Sequence, residues 1–158
     1  MVETLLENEL TTAMLDVMAE MVGGCITLAS APFGRILYSA GVLATPNAGD
    51  SVGRLSVEYA DHFQVYTQEG TIARNADLPL VRAIRLGQPV LDEVLMLGRP
   101  GTAQTIIICD AWPLRNARNR VVGGLCVSTD GAHWAKRADQ MKVSIKVRDL
   151  LMRQSLRV

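Results

Sequence analysis

The sequence lacks the features that mark several common functional classes. No apolar run approaches the roughly 18 residues of a membrane-spanning helix, and the N-terminus, MVETLLENEL, has neither the basic start nor the apolar core of a signal peptide. Aromatic residues make up only 4% of the chain, and the 16 Lys and Arg residues equal the 16 Asp and Glu residues in number. We therefore expect a cytoplasmic protein that binds neither membranes nor nucleic acid.

Signals of catalysis and of metal binding are missing as well. The sequence contains no Ser/His/Asp order, carboxylate pair or phosphate-binding loop. The three cysteines, Cys25, Cys109 and Cys126, have no metal-ligand spacing, and their odd number fits a reducing compartment. We expect no enzyme activity and no bound metal.

The patterns that are present fit one domain of 158 residues, 49% of them apolar. One apolar stripe at three- and four-residue steps predicts a helix over 3–21, which Gly23-Gly24 ends. Turn residues between two short apolar runs predict a hairpin of strands Cys25–Ala29 and Arg35–Ser39. The helical stripe consists of Leu6, Leu10, Met14, Val17 and Met21.

The second half of the chain is richer in strands. Glycine and proline residues divide 41–61 into loops and short helical turns. Further along, Asp77 is expected to cap a helix that ends at Gly87. The predicted strands are His62–Thr67, Val90–Leu97, Thr105–Trp112 and Val121–Ser128, and a helix over 134–155 follows. This order predicts an α+β protein with a mainly antiparallel sheet.

The two ends of the chain carry opposite charge. Residues 1–22 hold five acidic side chains and no basic one, whereas residues 134–158 hold seven basic and two acidic side chains. Both ends can simply be solvated faces. Alternatively the two helices lie together, within one chain or across a homodimer, with the charges selecting the orientation.

Short motifs follow one another along Gly70–Asp130. They are Gly70, Leu78-Pro79-Leu80-Val81-Arg82-Ala83-Ile84, Gly87, Pro89-Val90, Asp92, Gly101, Pro113-Leu114, Val121-Val122-Gly123 and Asp130. In this order they resemble PAS domains of bacterial signalling proteins, and Gly34-Arg35-Ile36-Leu37 resembles the first PAS hairpin. The resemblance covers roughly residues 24–133. It implies a sheet of about five mainly antiparallel strands with helices on one side. The expected division is a flanking helix over 1–22, a sensor core over 23–133 and an output or dimerisation helix over 134–158.

The chain departs from the PAS pattern in two places. The last turn, Asn116–Asn119, lacks the usual glycine, although asparagine can adopt the left-handed conformation. Gly131-Ala132 replaces the hydroxyl-bearing residue that commonly follows the closing acid, which puts signal transfer at this joint in doubt. Residues 11–43 also resemble the start of a GAF domain, which is the rival interpretation.

The last hairpin suggests a pocket. If Arg115 pairs with Arg120, Cys109 faces Cys126, Ile107 faces Ser128 and Ala111 faces Gly124, so that these residues share one sheet face. The PAS resemblance places Ser128 in the ligand pocket. The candidate pocket-lining residues are then Ile107, Cys109, Gly124, Cys126 and Ser128. The cysteines can equally be ordinary buried side chains, or a redox pair that would need a strained cross-strand disulfide.

We expect no common PAS cofactor. His62 and His133 do not lie where a helical haem ligand would, no covalent haem motif is present, and the flavin-binding cysteine motif of light-sensing PAS domains is absent. Arg74, Arg82 and Arg85 form a solvated face or, alternatively, a carboxylate site.

The sequence thus predicts a PAS-type sensory or regulatory domain in signal transduction. It would bind a small-molecule ligand or a signalling partner protein and act through its terminal helices as a homodimer. A GAF-type ligand-binding domain and a ligand-free PAS dimerisation platform are the alternatives.

Overall fold

The computed structural model of the protein describes residues 9–41 and 64–131. The predicted helix over 134–155 lies outside these ranges. The predicted loops and short helical turns over 41–61 also lie outside them, apart from Gly41. The described elements are α1 (Glu9–Val22), β1 (Gly24–Ser30), β2 (Arg35–Gly41), β3 (Val65–Tyr66), α2 (Pro79–Leu86), β4 (Val90–Leu97), β5 (Thr105–Arg115) and β6 (Val121–Asp130). The predicted α+β class is confirmed.

All six strands form one antiparallel sheet in the order β2-β1-β6-β5-β4-β3. The first and last strands pair in the middle, where Cys25 lies opposite Ser128 and Thr27 opposite Cys126. The short edge strand Val65–Tyr66 lies within the predicted strand His62–Thr67, and it brings the described strands to six, where the PAS resemblance implied about five. Because side chains alternate along each strand, every strand contributes to both faces of the sheet.

The two helices lie on opposite faces of the sheet. α2 packs on the face that carries Ala29, Ala111 and Cys126, here called the inner face. α1 covers part of the outer face, where Ile26 and Leu28 pack with Ala19. As predicted, α1 ends directly before Gly23, whose φ of 61° stops the helix. No helix within the described ranges is long and apolar enough to cross a membrane.

The start of α2 differs from the prediction. Its N-cap is Leu78 with no side-chain hydrogen bond, and Asp77 belongs to a preceding 3-10 turn. Proline disfavours a helical conformation at the residue before it, so Pro79 holds Leu78 extended and places the cap one residue beyond Asp77. The end is as expected, since Gly87 adopts a left-handed conformation and donates its N–H to Ala83 O.

The predicted pairing of the β5–β6 hairpin is wrong by two residues. Cys109 lies opposite Ser128, Ala111 opposite Cys126 and Ile107 opposite Asp130. The turn closes between Asn116 and Arg120, which adds one residue to the pairing sum. An irregularity between Leu114 and Arg115, where the partner changes from Gly123 to Val121, adds the second.

The turn itself follows the expectation for asparagine. Asn119 adopts a φ of 60° and donates its N–H to Asn116 O at 2.9 Å. The Asn116 side-chain oxygen accepts hydrogen bonds from the N–H groups of Arg118 and Arg120, both at 3.0 Å. Two asparagines therefore supply the turn geometry that a glycine usually provides.

Candidate ligand-binding site

A cavity of about 60 Å³ lies on the inner face of the sheet, beneath the start of α2. Its aliphatic wall comes from β2, β3, β4, β5 and the first turn of α2. Hydroxyl and thiol side chains of β1, β5 and β6 supply the polar part. The described lining residues are Cys25, Thr27, Ile36, Val65, Leu78, Pro79, Leu80, Leu95, Leu97, Ile107, Cys109, Cys126 and Ser128.

The structure brings four of the five candidate pocket residues to this cavity. Ile107, Cys109, Cys126 and Ser128 all line it. The register error of two residues leaves them together, because an even shift returns each side chain to the same face. That they bind a ligand stays a prediction.

Gly124 is the fifth candidate, and it does not line this cavity. It lies under α2, where an added Cβ would be only 2.8 Å from both Ile84 Cγ1 and Leu80 Cδ1. The glycine therefore allows the helix to approach the sheet closely.

The thiols at the cavity are free and buried. Ser128 Oγ lies 3.4 Å from Cys109 Sγ and 3.6 Å from Cys126 Sγ, so one hydroxyl links the two cysteines. The neighbouring Cys109 thiol, together with burial, raises the pKa of the Cys126 thiol well above its ordinary value. This thiol therefore stays protonated at neutral pH and is not an activated nucleophile.

The sequence did not identify the contribution of β1. Cys25 and Thr27 line the same cavity, and their Sγ and Oγ1 atoms are 3.8 Å apart. Ser39 of β2 completes this group, 3.6 Å from Cys25 Sγ and 3.4 Å from Thr27 Oγ1. The alternation of residues 25, 27 and 29 was visible in the sequence. The β1–β6 pairing, which places Cys25 opposite Ser128, was not visible in the sequence.

Other candidates play different parts. Arg82 Nη1 forms an ion pair with Glu93 Oε1 at 2.7 Å on the surface, so this arginine is engaged within the domain. His62 and His133 lie outside the described residues. Within the described ranges, no group of three or more His, Cys, Asp or Glu side chains could hold a metal ion.

The arrangement is similar to solved PAS structures. The PAS domain of the fruit-fly ELK potassium channel superposes with a TM-score of 0.52 at 15% identity, over 78% of this chain and 98% of that one. An RNA-binding light-oxygen-voltage receptor gives a TM-score of 0.50 at 17% identity, over 89% of this chain and 38% of the receptor chain. The chain thus spans well under half of the receptor. A scan against protein-family models and a search of curated proteins find no match.

At these identities the similarity establishes the fold. The protein is an α+β protein with the PAS fold, as the motifs along Gly70–Asp130 predicted. The same comparisons favour the PAS interpretation over the GAF rival.

Proposed function

We propose that the protein is a cytoplasmic PAS-type sensory or regulatory domain in signal transduction. It binds a small ligand on the inner face of its sheet, and it transmits the resulting structural change to a partner protein through its terminal helices. The observation that carries this proposal is the cavity, which lies between the sheet and α2 and is lined by all three cysteines. Concave, mostly apolar sites with a few polar groups are typical of ligand pockets.

Strand β1 supplies a physical route for the signal. Cys25 and Thr27 face the cavity, whereas Ile26 and Leu28 face the outer side and pack in the same cluster as Ala19 of α1. Only Gly23 separates α1 from β1 in the chain. A ligand that changes the position of β1 relative to β6 therefore acts on the surface to which α1 is bound.

Native mass spectrometry of freshly purified protein tests ligand binding. A stoichiometric extra mass, lost on denaturation, is expected. Hydrogen exchange of the α1 amides then tests the route, because ligand removal should change their protection while the Asn116–Asn119 turn stays unchanged. A bound ligand whose removal leaves α1 unaffected would show that the signal does not leave through this helix.

The exposed side of α1 favours a second function, that of a dimerisation platform without ligand. Leu15, Ala19 and Val22 belong to the cluster on the outer face of the sheet. The predicted apolar stripe instead faces solvent in the described chain. Its described members Leu10, Met14, Val17 and Met21 are between 54% and 78% exposed, and Met18 beside them is 41% exposed. Such a continuous apolar surface is typical of a protein interface, so we propose a homodimer through the terminal helices.

The oligomeric state in solution tests the dimer. Met14→Lys places a charge in the middle of the α1 stripe. The dissociation constant of the dimer, measured by light scattering, should therefore increase at least tenfold. Leu86→Lys is the matched control, because Leu86 is an equally exposed apolar residue, at 56%, on the other helix. A monomeric wild type, or equal effects of both variants, would contradict an interface on α1. A dimer without any bound mass would favour the platform over the sensor.

A further inference from the structure

Hydroxyl and thiol groups form a polar row of two adjoining clusters across the inner face of the sheet. One cluster lies on β2 and β1 and the other on β6 and β5, and within each cluster neighbouring groups lie 3.4–3.8 Å apart. The two clusters adjoin where Cys25 of β1 lies opposite Ser128 of β6. Its members are Ser39, Thr27, Cys25, Ser128, Cys126 and Cys109. All of them except Ser39 line the cavity.

The row satisfies itself only weakly. No buried side-chain nitrogen or oxygen in the described ranges lacks a hydrogen-bond partner, but the partners of Ser128 are the thiols of Cys109 and Cys126. A thiol is a weak donor and a weak acceptor. A ligand oxygen that replaces a thiol as the partner of Ser128 therefore gains a stronger hydrogen bond and breaks only a weak one. The same holds where it replaces Cys25 as a partner of Thr27, whose other partner is Ser39 Oγ at 3.4 Å.

The rest of the described lining is aliphatic. It contains no charged and no aromatic side chain, so an ion would enter without a counter-charge and would lose its hydration. The volume of about 60 Å³ is well below the roughly 150 Å³ of a cavity that accepts benzene. The cavity as described therefore suits a molecule of about four non-hydrogen atoms.

We propose that the cavity takes a small uncharged ligand with an aliphatic body and one carbonyl or hydroxyl group, which Thr27 and Ser128 bind by hydrogen bonds. This rests on the proposed sensory function and names the class of ligand that the same site accepts. The aliphatic wall opposite the row contacts the ligand body, and the row selects for the oxygen.

Three probes of similar size show whether the cavity takes an uncharged polar, a charged or an apolar molecule. Acetone is uncharged and carries a carbonyl, acetate has the same shape but a charge, and xenon is apolar. Methyl chemical shifts of Ile107, Leu95 and Leu97 report occupancy of the cavity. Acetone is expected to shift them saturably, with a Kd in the millimolar range, and xenon is expected to enter as well. Acetate should give no saturable shift.

A double variant tests the row itself. Thr27→Val with Ser128→Ala removes both cavity hydroxyls, and it should raise the Kd of acetone at least fivefold while leaving that of xenon unchanged. The matched control is Thr129→Val with Ser30→Ala, the same two changes at residues that do not line the cavity. This control should bind acetone like the wild type.

The outcomes distinguish this inference from the proposed function. Acetate binding as tightly as acetone, or an unchanged Kd for acetone in the double variant, would overturn the ligand class and leave a ligand-binding cavity. Xenon entering without acetone would do the same. If neither xenon nor acetone enters, the ligand-binding part of the proposed function is wrong together with the inference.

Discussion

Replacing Gly124 by alanine tests how closely α2 lies on the sheet. The new Cβ would be 2.8 Å from both Leu80 Cδ1 and Ile84 Cγ1, whereas ordinary carbon contacts are about 3.5–4.0 Å. Leu80 and Ile84 are buried, so neither can move into solvent. Overpacking of this kind costs about 1–3 kcal/mol, and losing the flexibility of glycine in the unfolded chain returns about 0.5–1 kcal/mol.

We therefore expect Gly124→Ala to lower the free energy of unfolding by about 1–2 kcal/mol. The corresponding fall in Tm is about 2–8 °C. Urea denaturation followed by circular dichroism measures the first quantity, and a thermal melt measures the second. The double variant Gly124→Ala/Ile84→Ala should lose less than the sum of the single variants, because removing Cγ1 and Cδ1 of Ile84 makes room for the new methyl group.

Gly123→Ala is the informative comparison. At that position an added Cβ would lie 2.4 Å from the backbone oxygen of Ala29, which belongs to the neighbouring strand and cannot rotate away. Its destabilisation should exceed that of Gly124→Ala. A Gly124→Ala protein that is as stable as wild type but no longer admits xenon would refute the reasoning, because the methyl group would then lie in the cavity.

Three further changes probe other contacts. Tyr38 donates its hydroxyl to Asp16 Oδ1 and so ties α1 to β2, and Tyr38→Phe should cost about 1 kcal/mol, measured by urea denaturation. Burial and that hydrogen bond raise the pKa of Tyr38 above its ordinary value of 10. The advantage of wild type over Tyr38→Phe should therefore be full below pH 10 and shrink above it; a constant difference would contradict this. Asn119→Gly should stabilise the protein by up to about 1 kcal/mol because φ is 60° there, whereas Asn119→Val should destabilise it. Finally, the three buried thiols should react with Ellman's reagent only after unfolding, and a thiol that reacts rapidly in native protein would show an open site.

Local patterns were enough to predict most of the fold. Strand β4 has the predicted bounds, β5 and β6 begin where expected, and both helices end at the predicted glycines. Each of these features depends on residues close together in the chain, such as Pro79 and Gly87 around α2. Alternation and turn chemistry act over the same short distance.

The packing of α1 shows what a pattern within one helix cannot determine. Leu10, Met14 and Val17 form the more regular stripe, yet the side that carries Leu15 and Ala19 packs on the sheet. The helix is apolar on two sides, so its own sequence pattern does not determine which of them packs on the sheet. The stripe with larger side chains stays exposed.

Four of the five candidate residues line the cavity in spite of a wrong pairing, and the reason is the two-residue period of a strand. Cys109 and Cys126 were expected opposite each other but are diagonal neighbours linked through Ser128. Because the error was an even number of residues, the face was preserved while each contact changed. If either the turn or the irregularity between Leu114 and Arg115 had acted alone, the pairing would have shifted by one residue. The β5 side chains on the same face as Ser128 would then have been those that now lie on the other face. Whether a hairpin prediction assigns side chains to the correct face therefore depends on whether the total register shift is an even or an odd number of residues. Which residues lie opposite each other depends on the size of that shift.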